Sequence, residues 1–278
     1  MKIVDTYNDI ISLFQAEPFE MAVWRSYIAN ISVALLEKVE SDAKKYDLDK
    51  QIIPIINNAL RNDRKLEGLH DSFIYATNGL TEKCIEKFNQ DLDVTIILYL
   101  GLCNGAGWAT TLDNQNVILL GVEKIIELGW CDRENLITLI YHELGHIWHH
   151  ANGNLYCTTN GIKDKSLCQL YQEGIAMYCE QTLCDDFSYY HQDKNGWLNW
   201  CLENEVLLKK EYLRRIKKFE STQDFFGDWC NYLGHSDTGY FLGCQYIKYM
   251  LQRYAINEIA NMDYPTLSKE FDNYTEQA

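Results

Sequence analysis

Apolar positions recur at spacings of three and four along the first part of the chain. Within the run from Phe19 to Tyr46, residues Trp24, Ile28, Ile31, Leu35 and Val39 fall on one face of a helix, which predicts an amphipathic helix there. The pattern changes at "DVTIILYLGLCNGAGWATTLDNQNVILLG", where two apolar, β-rich runs, Val94 to Leu100 and Val117 to Leu120, flank a glycine-bearing stretch. A small sheet is expected at that point. Helical spacing then returns in "CDRENLITLIYHELGHIWHHANG". Asp132 is placed to cap that helix, Leu136, Leu139, Ile140, Leu144 and Ile147 form its apolar stripe, and Asn152-Gly153 ends it. Further helices are expected over "KSLCQLYQEGIAMYCEQTLC", from about Trp197 to Phe219, and after Gly239. The expected fold class is α+β, mainly helical with a small β-sheet preceding the motif helix.

No stretch rich in glycine, serine or proline separates the halves, and the chain has only three prolines in 278 residues. We expect one compact unit, with a helical N-terminal region over 1–92 packed on a domain over 93–278 that carries the chemistry.

That chemistry is concentrated in His142-Glu143-Leu144-Gly145-His146, an HExxH pattern. Residues four apart lie one turn apart on the same helix face, so the two imidazoles can aim at one metal ion. Glu143 sits beside that face, where a carboxylate can take a proton from water activated by the metal. A catalytic zinc normally takes three protein ligands and keeps one position open. Glu173, in "YQEGIAMY", follows His146 by 173 − 146 = 27 positions on a second expected helix, and is our choice for the third ligand. His149 and His150 are the competitors. His150 continues the four-residue series, but continuous helix carries it a further turn from an ion held by His142 and His146.

HELGH followed downstream by Glu-Gly-Ile-Ala, with a β-rich segment before it and "GYFLG" near the C-terminus, resembles a bacterial family of predicted zinc-dependent proteases of the gluzincin type. The resemblance runs from about Val94 to Met250. It implies a zincin-like metallopeptidase fold and a single Zn2+ ion held by His142, His146 and Glu173, with Glu143 as general base. It also implies an edge strand that pairs with extended peptide substrates in the manner of β-augmentation. Many gluzincins place an aspartate four residues after the ligand glutamate, whereas this chain has Met177. Support for a ligand imidazole must then come from another group, for which Glu180 is a candidate. Peptide hydrolysis also needs a donor for the developing oxyanion. "NYLGHSDTGYFLGCQY" offers His235 and Tyr240, and the resemblance favours Tyr240.

Composition narrows the remaining choices. A net charge of −15 argues against a phosphate-backbone partner, so no nucleic acid is expected. No apolar run is long enough to cross a bilayer, and the N-terminal "MKIVDTYNDIISLFQ" carries aspartates where an export signal is apolar. We expect a cytoplasmic protein with no membrane partner. Ten cysteines without CxxC spacing are expected to be reduced thiols rather than a disulfide framework. "GLCNGAGW" lacks the Lys-Ser/Thr of a phosphate loop. Its segment Gly105 to Trp108 either brings backbone close to a substrate or, the reading we favour, forms a turn. The basic run Lys209, Lys210, Arg214, Arg215, Lys217 and Lys218 is expected to be a solvated helix face. Tyr189, Tyr190, Trp197 and Trp200 are expected to pack in the core rather than line a pocket.

Three functions compete. The first is zinc-dependent hydrolysis of peptide or protein substrates. The second is a regulatory protease of the ImmA/IrrE type that cuts one specific protein, whose ligand helix "EGIAMYCEQTL" distantly resembles. The third is a non-catalytic zinc-binding scaffold, against which the intact Glu143 argues. The sequence does not fix the oligomeric state.

Overall fold

Four N-terminal residues, Lys2–Asp5 (β1), form a strand that the helical periodicity of this region gives no hint of. The computed structural model describes residues 1–14, 18–153 and 162–276. β1 pairs in parallel with Thr95–Tyr99 (β2), in register from Lys2 with Thr95 to Asp5 with Leu98. Gly107–Leu112 (β3) and Gln115–Gly121 (β4) complete a four-stranded sheet in the order β1-β2-β4-β3. β4 runs parallel to β2 and antiparallel to β3. Ile96, Ile97, Leu98 and Tyr99 of β2 and Val117 to Leu120 of β4 are buried, which accounts for continuous apolar runs where an alternating pattern would mark one solvated face. β3 is an edge strand, and its residues 107–110 are only half-buried.

Around this sheet the chain forms the helices Tyr7–Phe14 (α1), Met21–Ile31 (α2), Val33–Ala43 (α3), Ile53–Leu60 (α4), Asp63–Thr77 (α5), Leu80–Phe88 (α6) and Val122–Leu128 (α7). The single helix expected between Phe19 and Tyr46 is two. Ser32 has extended backbone, φ −167° and ψ 135°, and its hydroxyl accepts from the Leu35 N–H at 3.3 Å. A serine that caps the next helix competes with continuing the previous one, and periodicity alone does not register that choice.

The motif helix is Arg133–Asn152 (α8), and after it come Ile162–Cys184 (α9), Trp197–Glu203 (α10), Glu205–Lys218 (α11), Thr238–Leu251 (α12), Ile256–Ala260 (α13) and Tyr264–Glu276 (α14). The stretch from Trp197 to Phe219 is again two helices, interrupted at Asn204. The chain divides into two compact units, Met1–Glu143 and Leu144–Ala278, and the division falls inside α8. Residues on both sides of position 92 therefore share one unit and one sheet.

Within the second unit, α9 and α12 meet at glycines. A Cβ on Gly174 would collide with the Gly243 carbonyl, and one on Gly243 would lie 2.5 Å from the Leu170 carbonyl. Gly145 of α8 faces α9 in the same way, since a Cβ there would lie 2.8 Å from the Ala176 Cα. The glycines of HELGH and of Glu-Gly-Ile-Ala thus allow neighbouring backbones to touch. Tyr212, Phe225, Tyr246 and Phe271 form an edge-to-face ring cluster in this unit.

Lys209, Arg214 and Arg215 of the basic run on α11 are paired with acidic neighbours. Arg214 pairs with Glu211 and Glu220, each at 2.7 Å, Arg215 with Glu211 and Asp224, and Lys209 with Glu205. Tyr190 and Trp197 pack against Phe241, as core aromatics do. Among the described residues eight cysteines form no disulfide, but Cys168 on α9 is disulfide-bonded, which corrects the expectation of uniformly reduced cysteines. Among the described residues no helix is long and apolar enough to cross a membrane.

Candidate metal centre

α8 begins where the sequence places it. The Asp132 carboxylate accepts the Asn135 N–H at 3.0 Å, satisfying one of the amides left unpaired at a helix start. Leu136, Leu139, Ile140, Leu144 and Ile147 are buried, which fixes the rotation of the helix. That rotation also buries His142 and Glu143 and leaves His146 partly accessible.

One ligand atom each from His142, His146 and Glu173 lies within 4.8 Å of the others. His146 Nε2 stands 3.2 Å from Glu173 Oε2. Bonds of about 2.0–2.1 Å around a tetrahedral zinc separate neighbouring donor atoms by about 3.3 Å, and two imidazoles with one carboxylate are a donor set that zinc accepts. The residues therefore fit the ion. His149 and His150 are not part of this group: His149 is fully buried with its ring edge-on to Tyr171, and His150 is exposed.

A second group shares His142. Glu180 and His191 also bring ligand atoms within 4.8 Å of one another and of His142. Glu180 is fully buried, and both its oxygens lie 2.9–3.0 Å from His191 Nδ1. It follows Glu173 by seven positions, two turns along the same face of α9, with Met177 between them. A carboxylate there can serve both imidazoles, filling the role that Met177 leaves open. Glu180→Gln is expected to weaken zinc binding about 10- to 100-fold while the protein stays folded, read by competition with a chelator.

Burial, with the neighbouring His146 and His150, lowers the His149 pKa to about 3. The unfolded chain takes up this proton near the ordinary value of 6.5 and the folded protein does not. Stability associated with His149 is thus complete above pH 6.5 and declines as pH falls towards 3. We expect His149→Phe to flatten the decline of Tm across that window relative to the wild type, an effect of a few kcal/mol at its lower end.

Tyr240 lies near the start of α12 with its ring 6.2 Å from that of His191. The His235 ring stacks on Trp200 at 3.9 Å, and its backbone closes a turn with Tyr232. The structure thus places Tyr240 beside His191, while the ring face of His235 is occupied by Trp200. Sequence reasoning missed His191, which lies in the irregular connection between α9 and α10 where no spacing marks it. It also missed the backbone N–H of Ala109, which donates to Glu143 Oε2 at 2.7 Å.

No protein-family model, no curated protein and no solved structure matches the chain.

Proposed function

We propose that this protein is a zinc-dependent hydrolase that cleaves peptide bonds in peptide or protein substrates. The observation that supports this most is the gathering of His142, His146 and Glu173 ligand atoms within 4.8 Å of one another, with Glu143 adjacent to the first of them in the chain. When bound, zinc lowers the pKa of a coordinated water towards neutrality and polarises the scissile carbonyl. The protein's own residues do the rest. As ligands, two imidazoles and one carboxylate would leave part of a zinc ion's charge uncompensated, which would favour a developing oxyanion. Glu143 receives the proton of the attacking water and delivers it to the leaving amine. Glu180, whose carboxylate is gathered with His142 and His191, supports the His142 imidazole. Tyr240, beside His191, is the assigned donor to the oxyanion, ahead of His235.

Protein stripped by a chelator should cleave nothing in a mixed peptide library, and one equivalent of zinc should restore cleavage. Hydrolysis that persists in the stripped protein, or that never appears in the zinc-loaded one, would refute this reading.

A further inference from the structure

The Glu143 carboxylate lies against the backbone of the edge strand β3. Ala106 accepts the Gly121 N–H at 3.0 Å, which puts Ala106 among the residues bonded to β4. In an antiparallel ladder the bonded and non-bonded positions alternate, so Gly107 and Ala109 turn their N–H and C=O groups away from β4. The Ala109 N–H meets Glu143 Oε2 at 2.7 Å on that free side. At Gly107, a Cβ would lie 2.5 Å from Glu143 Oε1, 2.8 Å from its Cγ and 2.9 Å from its Cδ. All three nearest atoms belong to Glu143. Gly107 is also absent from the residues with positive φ, so its backbone conformation would accept alanine, and the nearest obstacle to a methyl group there is the Glu143 side chain. Gly105 is different: its Cβ would meet the Gly107 carbonyl at 2.8 Å, a backbone contact that does not involve Glu143.

We propose that β3 positions the catalytic base: Gly107 leaves the space in which the Glu143 carboxylate lies, and the Ala109 N–H fixes the direction of one of its oxygens. Gly107 is then a positioning residue for the reaction. This inference rests on the peptidase reading for its catalytic consequence, but the contact itself is testable without catalysis. A helix sets the Cα of Glu143, yet a glutamate has three side-chain torsions and its carboxylate would otherwise sample many directions. Displacing a catalytic group by about 1 Å costs about 100-fold in rate.

The test is a double-substitution cycle on Gly107 and Glu143. Gly107→Ala should lower Tm by about 2–8 °C in the wild-type protein, because the added methyl overpacks against Glu143. In the Glu143→Ala background the same substitution should cost nothing or raise Tm slightly, since alanine restricts the unfolded chain more than glycine does. Zinc-loaded Gly107→Ala should keep its metal and its KM within about twofold, while kcat falls about 100-fold. Equal Tm loss in both backgrounds would show that Gly107 serves something other than Glu143 and would overturn the proposal. So would a wild-type kcat in Gly107→Ala. If the zinc-loaded wild type cleaves nothing while the Tm cycle shows the coupling, the peptidase reading fails and the contact between β3 and Glu143 stands.

Discussion

Replacing Glu143 by glutamine is expected to leave zinc bound at wild-type stoichiometry and to lower peptide cleavage about 10²- to 10⁴-fold. The substitution keeps the length of the side chain, and its amide oxygen can still accept the Ala109 N–H that Glu143 Oε2 accepts at 2.7 Å. What it removes is a group able to take up and return a proton, and positioned acid–base catalysis contributes a factor of that size. Glu143 does not belong to the group formed by His142, His146 and Glu173, so metal content should not change. Paired measurements of bound zinc and of cleavage on the same sample check this directly. Cleavage at the wild-type rate in Glu143→Gln would remove Glu143 from the mechanism. Loss of zinc would make it a ligand instead.

The second large effect is expected at Glu173. Glu173→Ala should weaken zinc binding roughly 10²- to 10³-fold, about one ligand's share of the binding free energy of a protein zinc site, and cleavage should fall with metal occupancy. The carboxylate stands 3.2 Å from His146 Nε2 and is only partly accessible, so its removal leaves His142 and His146 to hold an ion without an anionic partner. α9 should persist, because its packing on α12 rests on Gly174 and Gly243 rather than on the Glu173 side chain. Competition with a chelator of known affinity gives the change in zinc binding, and circular dichroism checks that the helices remain. An unchanged affinity would mean that the third ligand lies elsewhere.

The motif helix was legible because several local signals agreed on it. Its cap at Asp132, its apolar stripe from Leu136 to Ile147 and its stop at Asn152-Gly153 all act within a few residues of one another, and α8 spans Arg133–Asn152. The same local logic placed Glu173 on a helix, α9. It was less successful where polar residues interrupt an apolar rhythm. Ser32 and Asn204 each divide a stretch that periodicity reads as continuous, because a capping side chain or a change of backbone conformation leaves the spacing of apolar residues intact. β1 was not legible at all. It has four residues and little burial, and its partner β2 lies far along the chain; such pairing leaves no local pattern to read. The surroundings of the candidate centre were hidden for the same reason. Glu180 reaches His191 in an irregular connection, and Glu143 meets a backbone amide on β3, where the identity of Ala109 carries no information. Of the residues around the centre, the sequence marks those that share a helix with the motif or carry an unusual charge. It does not mark those that contribute only an amide or the absence of a side chain.

X-ray absorption at the zinc edge of the zinc-loaded protein reads the ligand atoms themselves. One ion per chain is expected, with only nitrogen and oxygen neighbours at about 2.0–2.1 Å, two of them imidazoles. A sulfur shell at about 2.3 Å would place the ion on cysteines instead. That result, or a protein that binds no zinc, would contradict the assignment of His142, His146 and Glu173 as its ligands.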